Sequence, residues 1–204
     1  MKKLLVLILC FSINSVAFSQ ILSDIDEVYP FHGDFAAIKK ANQWTFIDKE
    51  GEKLFDFRSD LVLTNGLNSL NQTISYPVFK DGRCLIRKLK GDTPYFGFIN
   101  EKGEEIIKPQ FINATNFSNG YAIAVLAAKD SIGYNYVLKK PVVNNYMEEY
   151  VIDTKGELVK YLYNPRPNVR ANYKNGVPII ESKFIAPNLV AIKNKKEKWE
   201  IRKF

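Results

Sequence analysis

The sequence predicts a mainly β protein, built of consecutive antiparallel β-hairpin repeats forming an open curved or stacked array. Three observations carry that prediction. A strand-like segment closing on Asp or Asn, with Gly three residues later, recurs at Asp48 and Gly51, Asn100 and Gly103, and Asp153 and Gly156. A second segment, in which an aromatic residue leads into a Gly-containing turn and then small or branched apolar residues, recurs upstream of each. Beyond residue 20 no stretch sustains the apolar spacing of a helix. Composition agrees with a folded chain, since 46% of the 204 residues are hydrophobic and 25% charged, neither a disordered nor a collagenous balance. A chain of this length buries enough surface to fold without a metal or a disulfide.

The first segment in order, residues 1–19, has the three-part pattern of a cleavable export signal. Lys2 and Lys3 precede an unbroken apolar stretch over 4–11, and Ala17-Phe18-Ser19 forms a small-x-small cleavage site before Gln20. Ser12, Asn14 and Ser15 break the apolar run well short of the ~20 residues that span a bilayer. The remaining domain, residues 20–204, is expected in the periplasm, at the cell surface or secreted, with no transmembrane segment. Cleavage removes Cys10, leaves Cys84 as the lone cysteine, and lowers the formal charge from +7 to +5. Asp24, Asp26 and Glu27 follow. They lack the alternating ligands, central Gly and closing Glu of a calcium loop, and read as a flexible terminus.

The repeat copies fall near 31–57, 79–111, 117–163 and, in part, 184–204. Each opens on the upstream segment: Phe31-His32-Gly33-Asp34-Phe35-Ala36-Ala37-Ile38, Phe79-Lys80-Asp81-Gly82-Arg83-Cys84-Leu85-Ile86, and Phe117-Ser118-Asn119-Gly120-Tyr121-Ala122-Ile123-Ala124. With period two, Ala36, Cys84 and Ala122 share an inward face with Ile38, Ile86 and Ala124, while Arg83 points outward. The turn segments follow: Trp44-Thr45-Phe46-Ile47-Asp48-Lys49-Glu50-Gly51, Phe96-Gly97-Phe98-Ile99-Asn100-Glu101-Lys102-Gly103, and Glu149-Tyr150-Val151-Ile152-Asp153-Thr154-Lys155-Gly156, with Lys198-Trp199-Glu200-Ile201 as a partial fourth. Asp or Asn accepts a backbone hydrogen bond two residues on, and Gly supplies positive φ, which is hairpin chemistry. Residues 52–57, 104–108 and 157–163 are the expected returning strands. Between copies, residues 64–73 read as a polar loop. Asn164-Pro165-Arg166-Pro167-Asn168 is expected to break any ladder, because proline lacks an N–H.

The central copy, Phe96 to Gly103 with Ile106-Ile107-Lys108-Pro109-Gln110-Phe111 and then Phe117-Ser118-Asn119-Gly120-Tyr121-Ala122, resembles the WG repeat of bacterial proteins. The resemblance covers most of residues 20–204 in about three and a half degenerate copies. Thr45, Tyr150 and Glu200 replace the glycine that names the repeat, and residues 140–149 stretch the third copy. It implies a β-rich repeat protein without a shared catalytic site.

The residue inventory limits chemistry. One histidine and two cysteines rule out two-histidine and four-cysteine zinc sites and paired-histidine acid–base mechanisms. No catalytic set, metal or cofactor is expected. Cys84, in the position of Ala36 and Ala122, reads as a small core residue, and His32 as a turn residue with no partnered serine and acid. Glu148 and Glu149 are adjacent and would face opposite sides of a strand, wrong for a carboxylate pair. Lys193, Lys195, Lys196, Lys198, Arg202 and Lys203 read as a solvated basic turn, and export argues against nucleic acid. Tyr134, Tyr136, Tyr146, Tyr161 and Tyr163 lie outside the repeat register and are the candidate ligand-binding residues, a stacking surface toward peptide or sugar. An outer-membrane barrel is disfavoured, because Arg202, Glu200, Lys198 and Lys196 would put charges on the lipid face of the last strand.

Two functions remain open. The first is an exported non-enzymatic interaction or scaffold module for a protein or a cell-envelope polymer. The second is a carboxylate-dependent glycan hydrolase or other envelope enzyme, the hydrolase being marked by a deep cleft holding two acidic side chains roughly 5–10 Å apart.

Overall fold

The computed structural model of the chain describes residues 22–67, 70–162, 166–167, 176–194 and 196–204. The export signal and Tyr163 lie outside the described residues, as does most of the proline segment. Among the described residues the regular structure is all strand, in five antiparallel sheets and no closed barrel. The first sheet holds β1 (Glu27–Val28), β2 (Ala36–Lys40) and β3 (Gln43–Ile47), and a two-stranded sheet joins β4 (Thr64–Leu67) to β5 (Thr73–Tyr76). The next runs β6 (Phe79–Lys80), β7 (Arg83–Lys90), β8 (Thr93–Ile99) and β9 (Glu105–Phe111). The fourth holds β10 (Asn113–Ala114), β11 (Tyr121–Asn135), β12 (Lys140–Asp153) and β13 (Leu158–Tyr161), with β14 (Arg166–Pro167) also on β12. The last is β15 (Lys183–Ala186), β16 (Leu189–Lys193) and β17 (Trp199–Lys203), with β17 at its edge.

Each copy is thus a strand pair: β2–β3, β7–β8, β11–β12 and β16–β17. Turns with left-handed backbone open them, at Gly33, at Asp81-Gly82, at Asn119-Gly120 and at Asn188. After the second strand comes the shared Asx turn. In the first copy Asp48 Oδ1 accepts the Glu50 and Glu52 amides at 3.1 and 2.8 Å, and the Gly51 amide returns to the Asp48 carbonyl at 3.1 Å. Asn100 and Asp153 repeat the arrangement with Gly103 and Gly156. Asn194 repeats it once more, with Glu197 at φ 58° where the others have glycine. That turn joins β16 to β17.

The core lies between copies rather than within them. Ala37, Trp44 and Phe46 of the first copy pack against Cys84, Ile86 and Ile99 of the second. Leu85, Phe96 and Phe98 of the second meet Ala122, Ala124 and Ile152 of the third, and Ile123, Val151 and Leu162 of the third meet Val190 and Ile192 of the fourth. Alternation predicted one inward face per strand. In the structure Ala37, Leu85 and Ile123 are as buried as the neighbours that face the other way, and in the second and third copies this is because the sheet is covered on both sides. The turns are spliced together as well. Asp81 accepts the Gly120 amide at 2.7 Å, Arg83 donates to the Thr154 carbonyl at 2.9 Å, and Arg58 donates to the Gly103 carbonyl at 2.9 Å.

The naming glycine has a steric cause in the complete copy. A Cβ at Gly97 would sit 2.4 Å from the Ile107 carbonyl oxygen, so β9 crosses where no side chain fits. In the first copy Thr45 occupies that position, fully buried, and its hydroxyl donates to the Phe55 carbonyl at 2.6 Å. Phe55 stands four residues past its turn glycine, as Ile107 does. The expected returning strand over 52–57 is accordingly no strand, only isolated bridges from Ile47 to Lys53 and Trp44 to Arg58. In the third copy Tyr150 fills the position, its ring 5.2 Å from Tyr161, and β13 pairs through a register shift.

Three other expectations change. Residues 64–67 and 73–76 pair as β4 and β5 instead of forming a polar loop. Arg166 and Pro167 pair with Met147 and Tyr146, because a proline at a sheet edge can leave its missing donor side unpaired. The acidic start is tied down: β1 pairs with β2, Glu27 binds Lys39 and the Tyr29 hydroxyl, and Asp26 accepts the Ala41 amide.

Candidate functional site

Residues 140–149 do not form a loop insertion. They lengthen β12, so that β11 and β12 pair from Tyr121–Asp153 out to Asn135–Lys140 with one shift near Ser131 and Gly133. Among the described residues, other strands reach this ribbon only as far out as Tyr146, and beyond it the hairpin extends by about 20 Å, at the usual rise per residue. Tyr134 and Tyr136 stand on that projection, exposed, in an edge-on pair with centroids 5.3 Å apart. Tyr146 and Tyr161 lie lower and are half-buried. Tyr146 bonds Asp130, which raises its hydroxyl pKa, and Tyr150 beside Tyr161 donates to Glu148 at 2.7 Å. Burial, and then that Glu148 bond, push Tyr150 up to about 12. The candidate tyrosines therefore divide into a projecting pair and a basal group. Asp130 and Ser131 are exposed on the same ribbon.

The fourth copy presents a second surface. Register pairing places Trp199 and Ile201 where Trp44 and Phe46, Phe96 and Phe98, and Glu149 and Val151 stand in the other copies. Those six are buried. Trp199 is 49% exposed and Ile201 66%, because among the described residues no strand pair lies over this face. Lys183 and Lys193 cover the Trp199 ring at 4.7 and 5.9 Å, and Lys39 approaches Trp44 in the same way at 5.5 Å. The open surface is therefore apolar in the middle and basic around it.

Glu149 is a departure that the sequence marks only as an acid in an aromatic slot. It is buried, and its carboxylate accepts the backbone amides of Glu181 and Ser182 at 3.0 and 3.1 Å. A buried carboxylate so held fixes the segment leading into β15. Glu148 faces the other side of the strand, so the two do not form a catalytic pair.

A hollow of about 510 Å³ opens beside the first copy, lined by Phe55, Asp56, Arg58, Asp60, Lys102 and Gly103 among others. Arg58 grips Asp60 with two bonds of 2.6 and 2.8 Å, and Lys53 binds Asp56 at 2.8 Å. Burial alone would raise the Asp60 carboxyl, but the Arg58 guanidinium more than offsets it and leaves the pKa below the ordinary value. Lys53 lowers Asp56 too. A general acid needs the opposite shift.

Cys84 is fully buried, and burial pushes its thiol far up, so it supplies no thiolate nucleophile. His32 sits in the turn before β2, its amide on the Phe35 carbonyl at 2.8 Å, its imidazole lowered by burial and then by Lys80. Among the described residues no group of His, Cys, Asp and Glu is arranged to hold a metal, and no helix is long and apolar enough to cross a membrane.

The sequence model of the family described as WG containing repeat matches residues 24–44 and 96–129. The first window covers β1, β2 and the start of β3, and the second runs from β8 into β11. No curated protein and no solved structure matches the chain.

Proposed function

We propose that this chain, which carries degenerate WG containing repeats, is an exported, non-enzymatic β-repeat module offering an interaction surface to a protein or a cell-envelope polymer. One observation supports this most: two apolar slots covered by a neighbour in three copies stand uncovered in the fourth, at Trp199 and Ile201. Exposed apolar surface ringed by charge is what interaction sites present. The stacked copies would hold that face rigid, so little ordering entropy would oppose binding.

The hydrolase reading rests on the hollow with Asp56 and Asp60. Both carboxyls there are bound by cations and lowered, which favours two ionised groups over an acid–base pair.

The test is affinity capture from cell-envelope extract, with Trp199→Glu/Ile201→Glu as the comparison. Both side chains already face solvent, so the variant keeps the fold. The expected result is a partner retained by the unaltered chain and lost by the variant. Recovery of no partner, together with turnover of a glycan substrate that Asp60→Asn abolishes, would overturn the proposal. Fractionation of cells expressing the chain, with Leu7→Arg in the apolar stretch as control, tests export.

A further inference from the structure

The projecting end of the β11–β12 ribbon is the most exposed apolar feature of the molecule that the repeat logic does not explain. Asn135 Oδ1 accepts the Leu138 amide at 2.9 Å, and Lys139 takes a left-handed backbone at φ 48°, which sets Tyr136, Val137 and Leu138 at the apex. Tyr136 is 84% and Val137 91% exposed, and Leu138, Ile132, Tyr134 and Val142 are exposed around them. Lys139 and Lys140 stand just behind and are exposed too. Asp130 is the acid among residues 129–145, and it is bonded to Tyr146 on the side toward the body.

From this arrangement we infer that the apex of the hairpin inserts into the surface of an anionic lipid bilayer. Tyr136, Val137 and Leu138 are consecutive and all largely exposed at the tip. A protein groove would have to surround them, whereas a fluid bilayer needs no matching shape. Val137 and Leu138 would enter the acyl boundary, and the tyrosine pair would lie at headgroup depth, where aromatic rings with a polar end concentrate. Lys139 and Lys140 would meet anionic headgroups with their stems along the apolar surface. The inference is independent of the Trp199 face, which lies on another sheet.

Vesicle co-sedimentation tests it, with vesicles of phosphatidylcholine and phosphatidylglycerol at 7:3 compared with phosphatidylcholine alone. All variants keep the same N-terminus, so the apolar residues 4–11 cannot account for differences among them. The unaltered chain should bind the anionic vesicles at least tenfold more tightly than the neutral ones. Val137→Asp/Leu138→Asp and, separately, Lys139→Glu/Lys140→Glu should each weaken that binding tenfold or more, with an unchanged urea-unfolding midpoint showing that the fold is intact. Val137→Trp should shift its fluorescence to the blue on binding and be quenched by brominated lipid. Equal binding by the apex variants, or an unquenched Val137→Trp probe, overturns the inference. So does a hairpin that recruits a protein from extract while ignoring vesicles.

Discussion

The second and fourth copies are built on the same strand pair and differ in what lies over it. In the second, Phe96 and Phe98 are sealed beneath the third copy, with Phe98 edge-on to Phe117 at 4.7 Å. In the fourth, Trp199 and Ile201 hold the same register positions and face solvent with two lysines over the ring. Burial of these slots is therefore conferred by the neighbour, not by the residue. The same slot is a core element in one copy and solvent-facing in another.

The largest test of that contrast is a pair of truncations. Phe98→Ala should cost about 3–5 kcal/mol by leaving a closed cavity, while Ile201→Ala should change stability by less than about 0.5 kcal/mol, as surface substitutions do. Urea unfolding of both variants reads the difference, and equal losses would show that the fourth copy is covered in solution. A second pair compares the first copy with the second. Gly97→Ala drives a methyl into the Ile107 carbonyl and should cost about 3 kcal/mol by overpacking. Thr45→Val, similar in shape, loses only the bond to Phe55 and should cost about 1–2 kcal/mol.

The third test concerns the splice between those copies. Asp60 has a folded pKa below its ordinary value, so its contribution is complete above the unfolded pKa near 4. That contribution is lost as pH falls through the folded value. Asp60→Asn should lower stability at pH 7 by about 2 kcal/mol, the range for hydrogen bonds to charged groups. It should also flatten the acid limb of a stability–pH curve. The smallest effect belongs to the Asn194 turn. Glu197→Gly removes a left-handed side chain and should raise stability by about 1 kcal/mol, less the exposed ion pair with Lys193.

What could be read from the sequence was local chemistry. The Asp48, Asn100 and Asp153 turns declare themselves because a side-chain acceptor and a glycine act within five residues. The hairpin strands follow from apolar alternation beside them. What could not be read depends on neighbours remote in the chain. Ala37, Leu85 and Ile123 look solvent-facing by period two until a second copy covers them. Trp199, at the repeat position of Trp44 and Phe96, stands half exposed because no described copy covers it. The Asn194 turn escaped notice because Glu197 stands where glycine marks the others. Residues 140–149 read as an interruption because Tyr146, Glu148 and Glu149 break the apolar pattern, yet their backbones pair throughout with β11. Of the candidate tyrosines, Tyr134 and Tyr136 share one surface and Tyr146 and Tyr161 another, a division that sequence spacing alone does not encode.

Because the first two joints use the same kind of surface, large aromatic against small or branched, a chain lacking the second copy would bring Trp44 and Phe46 against Ala122 and Ala124. That surface resembles the one they already meet. Gene-level loss or duplication of whole copies is thus mechanically permitted between the first and third. It is not permitted between the third and fourth, where the Glu149 carboxylate is matched to two particular amides at Glu181 and Ser182. That joint is keyed by a buried carboxylate.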